Sequence, residues 1–232
     1  MIDRAQILAI SFDLDDTLWP VWPAIMNAER DLIDWFAREH PEVTRRFDVA
    51  GMRAVRDQVA AEQPELHHDL SAIRMHSIAR LLALAGADPA AAADGFEVFY
   101  AGRNRVDLYP DARAGLIRLG ARYRLFSLSN GNADLARMGL NHHFEASFSA
   151  RTLGFAKPDR RGFLAVASAA GLTPAQVLHV GDHPEQDVAG ARAAGLQAVW
   201  LNRDAAPWPL AGDAPPYFAC LQALAAHLLD EG

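Results

Sequence analysis

The feature that most constrains this chain is a change of hydrophobic period along it. Short apolar runs at residues 7–12, 124–129, 146–149, 177–181 and 198–201 read as buried strands. From the second run onward, helical stretches such as 160–170 and 187–194 separate them, the latter stopped by Gly195. Strands that alternate with helices form a parallel sheet covered on both faces, because each crossover lays a helix over the sheet. The first run stands apart. Between it and the second lies a segment from Trp19 to about Asp107 with helical periodicity and almost no strand signal. It divides into helices at 24–40, closed by Pro41, at 49–63, stopped by Pro64, at 69–85, ending at Gly86, and at 89–102, with Asp88 as N-cap. The expectation is an α/β protein whose core is residues 1–18 and 107–232, with a four-helix bundle, residues 19–106, inserted after the first strand. Residues 207–216 read as a surface loop and 217–229 as a last helix.

Composition narrows the function. Of 232 residues, 51% are hydrophobic and 22% charged, enough to bury a sizeable core. A net charge of −7 argues against a general nucleic-acid binder and against an anionic membrane surface. The single cysteine, Cys220, excludes a disulfide framework. The opening residues have too short an apolar stretch for a signal peptide, and no run is long enough to span a membrane. The expectation is a soluble, cytoplasmic protein. The 22 basic residues are 21 arginines and one lysine, Lys157. Either the exception is chance, or that position needs a compact ammonium that a planar guanidinium cannot replace.

In an open parallel sheet, ligands bind beyond the carboxyl ends of the strands. After the first strand come Asp13, Leu14, Asp15, Asp16 and Thr17, and after the second Ser129, Asn130 and Gly131. After the fourth come Asp182 and, five residues on, Asp187; Lys157 lies in the loop before the helix at 160–170. Asp13, Asp15, Asp182 and Asp187 at one edge repel one another unless a cation compensates. Carboxylates without a His or Cys cluster select a hard ion, Mg²⁺. Metal, ammonium, the Ser129 hydroxyl and the amides of Asn130 and Gly131 together make a phosphate site. Asp13 and Asp15 alternate onto one side, so one can attack as a nucleophile while the other manages protons. GxGxxG, Walker and GxSxG patterns are absent, so dinucleotide, P-loop and serine-hydrolase readings lack support.

The segments FDLDDTLW, LFSLSNGN, GFAKPD and HVGDHPEQDVAGA resemble the four motifs of the haloacid dehalogenase (HAD) superfamily, and the helical insertion resembles its four-helix cap. The resemblance implies a Rossmann-like sheet with strand order 5-4-1-2-3. It implies Asp13 as nucleophile, Asp15 as general acid/base, Ser129 and Asn130 at the phosphoryl group, and Lys157 stabilising its charge. Asp13, the main-chain carbonyl of Asp15, and Asp182 are the implied Mg²⁺ ligands, with Asp187 behind them or reaching the metal through water. The implied partner is a small phosphorylated metabolite. The segments PELHHDLSAIRMHSI and LHVGDHPEQDV are further similar to bacterial phosphatases acting on flavin mononucleotide and on 5-amino-6-(5-phosphoribitylamino)uracil. The alternatives are a 2-haloacid dehalogenase, a phosphomutase and a non-enzymatic binding protein. A halide leaves without protonation, so a dehalogenase has no use for Asp15 or a metal.

Trp19, Trp22, Arg74 and Arg105 are candidates for touching the leaving group, against a plainer reading as packing residues and solvated helix faces. Two short connections, near Trp19 and Asp107, suit a cap that opens and closes. His179 reads as a buried, hydrogen-bonded core histidine and His183 as a candidate pocket residue.

Overall fold

The computed structural model describes residues 2–229. The strands are β1 (Ala9–Phe12), β2 (Arg124–Ser129), β3 (Ala146–Ser149), β4 (Val177–Gly181), β5 (Gln197–Leu201) and β6 (Tyr217–Phe218). The helices are α1 (Val21–Glu39), α2 (Pro41–Arg46), α3 (Val49–Glu62), α4 (Leu70–Ala85), α5 (Ala92–Arg103), α6 (Ala112–Gly120), α7 (Ala150–Leu153), α8 (Arg160–Ala170), α9 (Gly190–Ala193) and α10 (Leu221–Leu229). Two compact units result. One holds Met1–Pro20, Asp107–Gly131 and Leu135–Gly232; the other holds Val21–Val106 and, from the loop after β2, Asn132–Asp134.

The first unit is a parallel six-stranded sheet in the order β3-β2-β1-β4-β5-β6. Its first five strands stand in the expected relation. β1 is central, and all four of its residues are buried. A strand covered on both faces has no polar face to show, so it reads as a continuous apolar run. On one side Phe126 and Leu128 of β2 pack with Phe163, Val166 and Ala167 of α8 and Ala191 of α9. On β2's other face, Leu125 lies against Gly120 of α6, whose Gly115 meets Leu221 of α10. The sixth strand corrects the expectation of a helix over 217–229. Trp200 donates its amide to Pro216 and Asn202 to Phe218, so Tyr217 and Phe218 extend the sheet before α10 begins.

The second unit is helical. α1 buries Ala24, Ala28, Leu32, Trp35 and Phe36, one stripe along its length. Pro41, expected only to end that helix, also opens α2 from its first turn, where its missing N–H costs nothing. The helix expected over 89–102 begins as a 3₁₀ turn, Pro89–Ala91, capped by Asp88 on the Ala90 amide at 2.9 Å. Within this unit Asn132 donates to Ser71 Oγ at 3.2 Å, and the Asp134 amide donates to Asn104 Oδ1 at 2.7 Å. α1 and α5 approach closely: a Cβ on Gly102 would lie 2.7 Å from the Cα of Ala28, a backbone atom that cannot step aside. Gly102→Ala should therefore lower the melting temperature. Overpacking costs about 1–3 kcal/mol, more than the helix-propensity gain of at most about 1 kcal/mol. An unchanged melting curve would mean the two helices have slack at this point.

Candidate active site

The site is assembled at the carboxyl ends of β1, β2 and β4. Asp13 follows β1, and its amide donates to Val180 of β4 at 2.9 Å, which fixes the start of the loop. The loop then folds back. Leu18 donates to Leu14, Asp16 donates to Trp19, and Asp16 takes a positive φ of 57°. Asn and Asp tolerate that region better than other side chains, which accounts for an aspartate there. The turn brings the Trp19 indole N–H to Asp15 Oδ1 at 2.9 Å. Trp19 is fully buried, so its ring has no face for a leaving group, and the packing reading replaces the substrate reading. Thr17 donates its hydroxyl to Asp182 Oδ1 at 2.9 Å, joining the first and fourth strand exits.

Lys157 is the centre of the arrangement. Its Nζ donates to Asp13 Oδ1 and to Asp187 Oδ1, each at 2.5 Å, with only 2% of the side chain exposed. Asn130 holds the lysine's backbone from both sides: the Lys157 amide donates to Asn130 Oδ1 at 2.7 Å, and Asn130 Nδ2 donates to the Lys157 carbonyl at 3.0 Å. The Asn130 side chain is thereby committed to Lys157 and to Gln186 Oε1, leaving its backbone amide for an anion. Ser129 is buried, and its Oγ accepts the Gly131 amide at 3.0 Å.

Asp187 reaches the lysine because β4 is not followed by a simple helix. The helix expected over 187–194 starts earlier, as a π-helical turn at Pro184–Ala189 that continues into α9. His183 opens it, its Nδ1 accepting the Glu185 and Gln186 amides at 3.3 and 3.2 Å. A wide turn of this kind re-aims a side chain. The Asp187 carboxylate then lies where a Cβ on Gly181 would be 2.3 Å from its Cγ, so glycine is required at the end of β4. Asp187 Oδ1 accepts Lys157 and His179, and Oδ2 accepts the His183 amide at 2.9 Å.

Oxygens of Asp13, Asp182 and Asp187 lie within 4.8 Å of one another. Burial pushes the Asp13 carboxyl well above the usual range despite the nearby ammonium, and the charges of Asp187 and Asp182 push it further. Burial and the Asp187 charge raise Asp182 to about 7. For Asp187, burial is outweighed by Lys157 and the His179 hydrogen bond, which hold it low. Lys157 resists burial because Asp13 and Asp187 flank it, and it stays charged. One ammonium thus faces three carboxylates, and the all-oxygen donor set fits a hard divalent cation.

This has a thermal consequence. A carboxyl raised in the folded protein binds its proton more tightly there than in the unfolded chain, so stability falls as pH rises between the two values. For Asp182 that window runs from 3.8 to about 7, and Asp13 acts in the same direction. In metal-free protein these two carboxyls lower stability from about pH 4 to pH 7, opposed by buried His179, whose lowered value acts the other way, and Mg²⁺ should raise the melting temperature more at pH 8 than at pH 5. Equal stabilisation at both pH values would show that the cation does not bind these carboxylates.

Residues outside the expected set complete the site. Trp200 of β5 donates its indole N–H to the Asp182 carbonyl at 2.7 Å. Arg203, two residues past β5, donates to the Thr17 carbonyl and to both oxygens of Asp111, and lies 3.9 Å over the Tyr109 ring. It anchors the loop that carries Asp15 and Thr17. A cavity of about 400 Å³ opens beside Asp182, walled by Asp16, Tyr109, Pro184, Trp200 and Arg203. Reading the exit of β5 as the other exits were read finds Arg203.

In the helical unit, Arg74 is 12% exposed, 3.7 Å from Glu29 and stacked 4.0 Å from the Phe99 ring; burial lowers it to about 10. Arg105 is paired with Asp31, its guanidinium largely exposed. Trp22 is 62% exposed, with the Arg53 guanidinium 5.9 Å from its ring.

The fold and this site define a hydrolase of the HAD type, and residues 7–195 match the family model of haloacid dehalogenase-like hydrolases. The chain belongs to that family. It is 32% identical over 201 residues to the Escherichia coli 5-amino-6-(5-phospho-D-ribitylamino)uracil phosphatase YigB, covering 85% of this chain and 84% of that one. It is 40% identical over 129 residues to the Thermus thermophilus phosphoserine phosphatase, about half of each chain (53% and 52%). The crystal structure of a 2-haloacid dehalogenase from Pseudomonas syringae pv. Tomato is similar throughout, with TM-score 0.90, 35% identity and coverage of 96% and 98%. Phosphatases are thus among its relatives. Among the described residues no helix is long and apolar enough to cross a membrane.

Proposed function

We propose that the protein hydrolyses small phosphomonoesters with Mg²⁺, through a phospho-aspartate at Asp13. The observation that carries this reading is the lysine clamp, Lys157 Nζ at 2.5 Å from both Asp13 and Asp187, with Asp182 in the same acidic group. An attacking carboxylate, a fixed positive point and room for a hard cation are what a dianionic phosphoryl group needs. Asp13, Asp182 and the Asp15 carbonyl are the metal ligands of this reading. Bound Mg²⁺ supplies positive charge that keeps Asp13 ionised and offsets the phosphoryl oxygens. Asp187 is spent on Lys157, His179 and the His183 amide, so it orients the lysine.

An Asp13 oxygen attacks phosphorus, the bond from phosphorus to the ester oxygen breaks, and Asp15 gives its proton to the departing alkoxide. Ionised Asp15 then takes a proton from water as that water attacks phosphorus. The acyl-phosphate P–O bond breaks, inorganic phosphate leaves, and the Asp13 carboxylate is regenerated. The Trp19 indole holds Asp15 in place throughout. The Ser129 hydroxyl and the Asn130 amide bind the phosphoryl oxygens; the Gly131 amide, expected to join them, is instead donated to Ser129 Oγ.

The substrate class we infer is a phosphorylated sugar-alcohol or flavin-type metabolite, flavin mononucleotide or 5-amino-6-(5-phosphoribitylamino)uracil. Its support is the likeness to YigB over most of both chains. Trp22, Arg74 and Arg105 are the cap candidates for the leaving group. Trp22 is the one with an exposed aromatic face, and Arg74 is already engaged by Glu29 and Phe99. The dehalogenase-like structural neighbour motivates a second reading, attack of Asp13 on a 2-haloacid. Asp15, held by Trp19, and raised Asp182 have no task in that reaction.

One experiment separates the two. Phosphate release from a panel of phosphorylated metabolites is measured with Mg²⁺ and after chelation, beside halide release from 2-chloropropionate. The expected result is metal-dependent phosphate release, abolished by chelator and restored by Mg²⁺, with Mn²⁺ or Co²⁺ as substitutes. Halide release that survives chelation, without phosphate release, would reverse the assignment.

A further inference from the structure

We infer that His179 is a positioning residue for the reaction, acting through Asp187 on the ammonium of Lys157, with the Ser11 hydroxyl holding the far side of its ring. The inference rests on the reading of Lys157 and Asp13 as reacting groups. His179 lies on β4, and its side chain is wholly buried. Its Nε2 is 3.2 Å from Asp187 Oδ1 and its Nδ1 is 3.1 Å from Ser11 Oγ on the neighbouring strand β1. The Phe163 ring of α8 meets the imidazole edge-on, centroids 5.0 Å apart. Ser11, His179, Asp187, Lys157 and Asp13 thus form an unbroken chain of hydrogen bonds, buried from end to end.

The donor and acceptor inventory fixes the direction of that chain. An ionised carboxylate only accepts, so Nε2 must carry the hydrogen and donate to Asp187. Burial lowers His179 and keeps the ring neutral, so Nδ1 is an acceptor and the Ser11 hydroxyl donates to it. A hydroxyl that can point either way is therefore committed by the ring. The Asp187 carboxylate is held by three donors: Lys157, His179 and the His183 amide. Without His179, Oδ1 keeps the lysine alone, the carboxylate can turn about the His183 contact, and the ammonium follows it. Displacement of a reacting group by 1 Å costs up to about a hundredfold in rate. The ring hydrogen-bonds neither Asp13 nor the lysine, so its hold on the ammonium's position passes through Asp187.

The chain's single lysine makes this testable without any substrate. Protein labelled with ¹⁵N at lysine gives one side-chain ammonium signal, which Lys157→Arg erases and so assigns. In wild type the buried ammonium should show one narrow signal with slow hydrogen exchange. His179→Leu, which keeps bulk but donates nothing, should broaden the signal or speed exchange by about tenfold or more. His179→Gln, which can return an amide donor toward Asp187, should restore it. Ser11→Ala, a smaller change, should fall between and keeps the test alive if His179→Leu does not fold. In turnover of 4-nitrophenyl phosphate, His179→Leu should lose about thirtyfold in kcat with KM within about twofold, and His179→Gln should recover most of it.

An ammonium signal unchanged in both His179→Leu and Ser11→Ala overturns the inference. So does a loosened ammonium with undiminished kcat, or rate losses that follow melting temperature alike in the Leu and Gln variants. A wild type that releases no phosphate from any ester defeats the phosphatase reading instead, and leaves the ammonium measurement to decide the positioning role.

Discussion

Asp13→Asn should fold, bind Mg²⁺ more weakly, and turn over phosphomonoesters at least roughly a thousandfold more slowly, about 4 kcal/mol of transition-state stabilisation. The amide keeps the shape of the side chain and the Lys157 contact as an acceptor, but it has no anionic oxygen with which to attack. Its effect on stability runs the other way. Asp13 is buried beside Asp182 and Asp187, and its carboxyl is raised mainly because ionisation there lacks solvent. Removing that charge relieves repulsion, while Lys157 retains Asp187 as a partner. Metal-free Asp13→Asn should therefore melt no lower than wild type at pH 8. Loss of activity with a maintained or raised melting temperature separates a chemical role from a structural one. Asp15→Asn gives a different pattern: it slows alkyl esters more than aryl esters, because an aryloxide leaves with less help from a proton. Equal losses on both ester types would reassign Asp15.

The strands that place these acids were legible because parallel strands buried on both faces are uninterrupted apolar runs, and the residue after each run falls at the sheet's carboxyl edge. Asp13, Ser129 and Asp182 each stand immediately after or at the end of such a run. β6 was not legible: a two-residue strand, Tyr217–Phe218, has no period to read, and only its pairing with Trp200 and Leu201 defines it. The π-helical turn escaped for another reason. Nothing in PEQDVA distinguishes a wide turn from a normal one until the Asp187 carboxylate is seen filling the space above Gly181. Trp19 beside the acids suggests a stacking ring, yet the turn through Asp16 buries it and points its N–H at Asp15. His179 was read as a buried, hydrogen-bonded histidine, but its partners lie 168 and 8 residues away: the pairing of β1 with β4 brings Ser11 to it, and the wide turn after β4 brings Asp187.

Lys157→Arg should fold and lose about a hundredfold in kcat, about 2.7 kcal/mol, on every phosphomonoester alike. The charge is unchanged, so a site needing only positive potential would be indifferent, and this chain accepts arginine at 21 other positions. The geometry is not indifferent. The ammonium donates at 2.5 Å to two carboxylates at once, from a side chain only 2% exposed. Asn130 holds the lysine backbone by both its amide and its carbonyl, so the residue cannot retreat to make room for a longer side chain. A guanidinium is planar and wider, and it presents its N–H groups in a fixed fork. Placed here it meets Asp187 side-on and pushes Asp13 away from the line of attack, or stays with Asp13 and leaves Asp187 to the His183 amide and His179. Overpacking of a filled site costs about 1–3 kcal/mol, so a modest drop in melting temperature accompanies the rate loss. The measurement is kcat and KM on an aryl ester, a sugar phosphate and flavin mononucleotide, with melting temperature recorded for each protein. A common factor across the three substrates places the defect at the phosphoryl group, which all three share. Wild-type kinetics in a well-folded Lys157→Arg protein would mean the lysine is there by coincidence, and that the clamp between Asp13 and Asp187 serves charge balance alone.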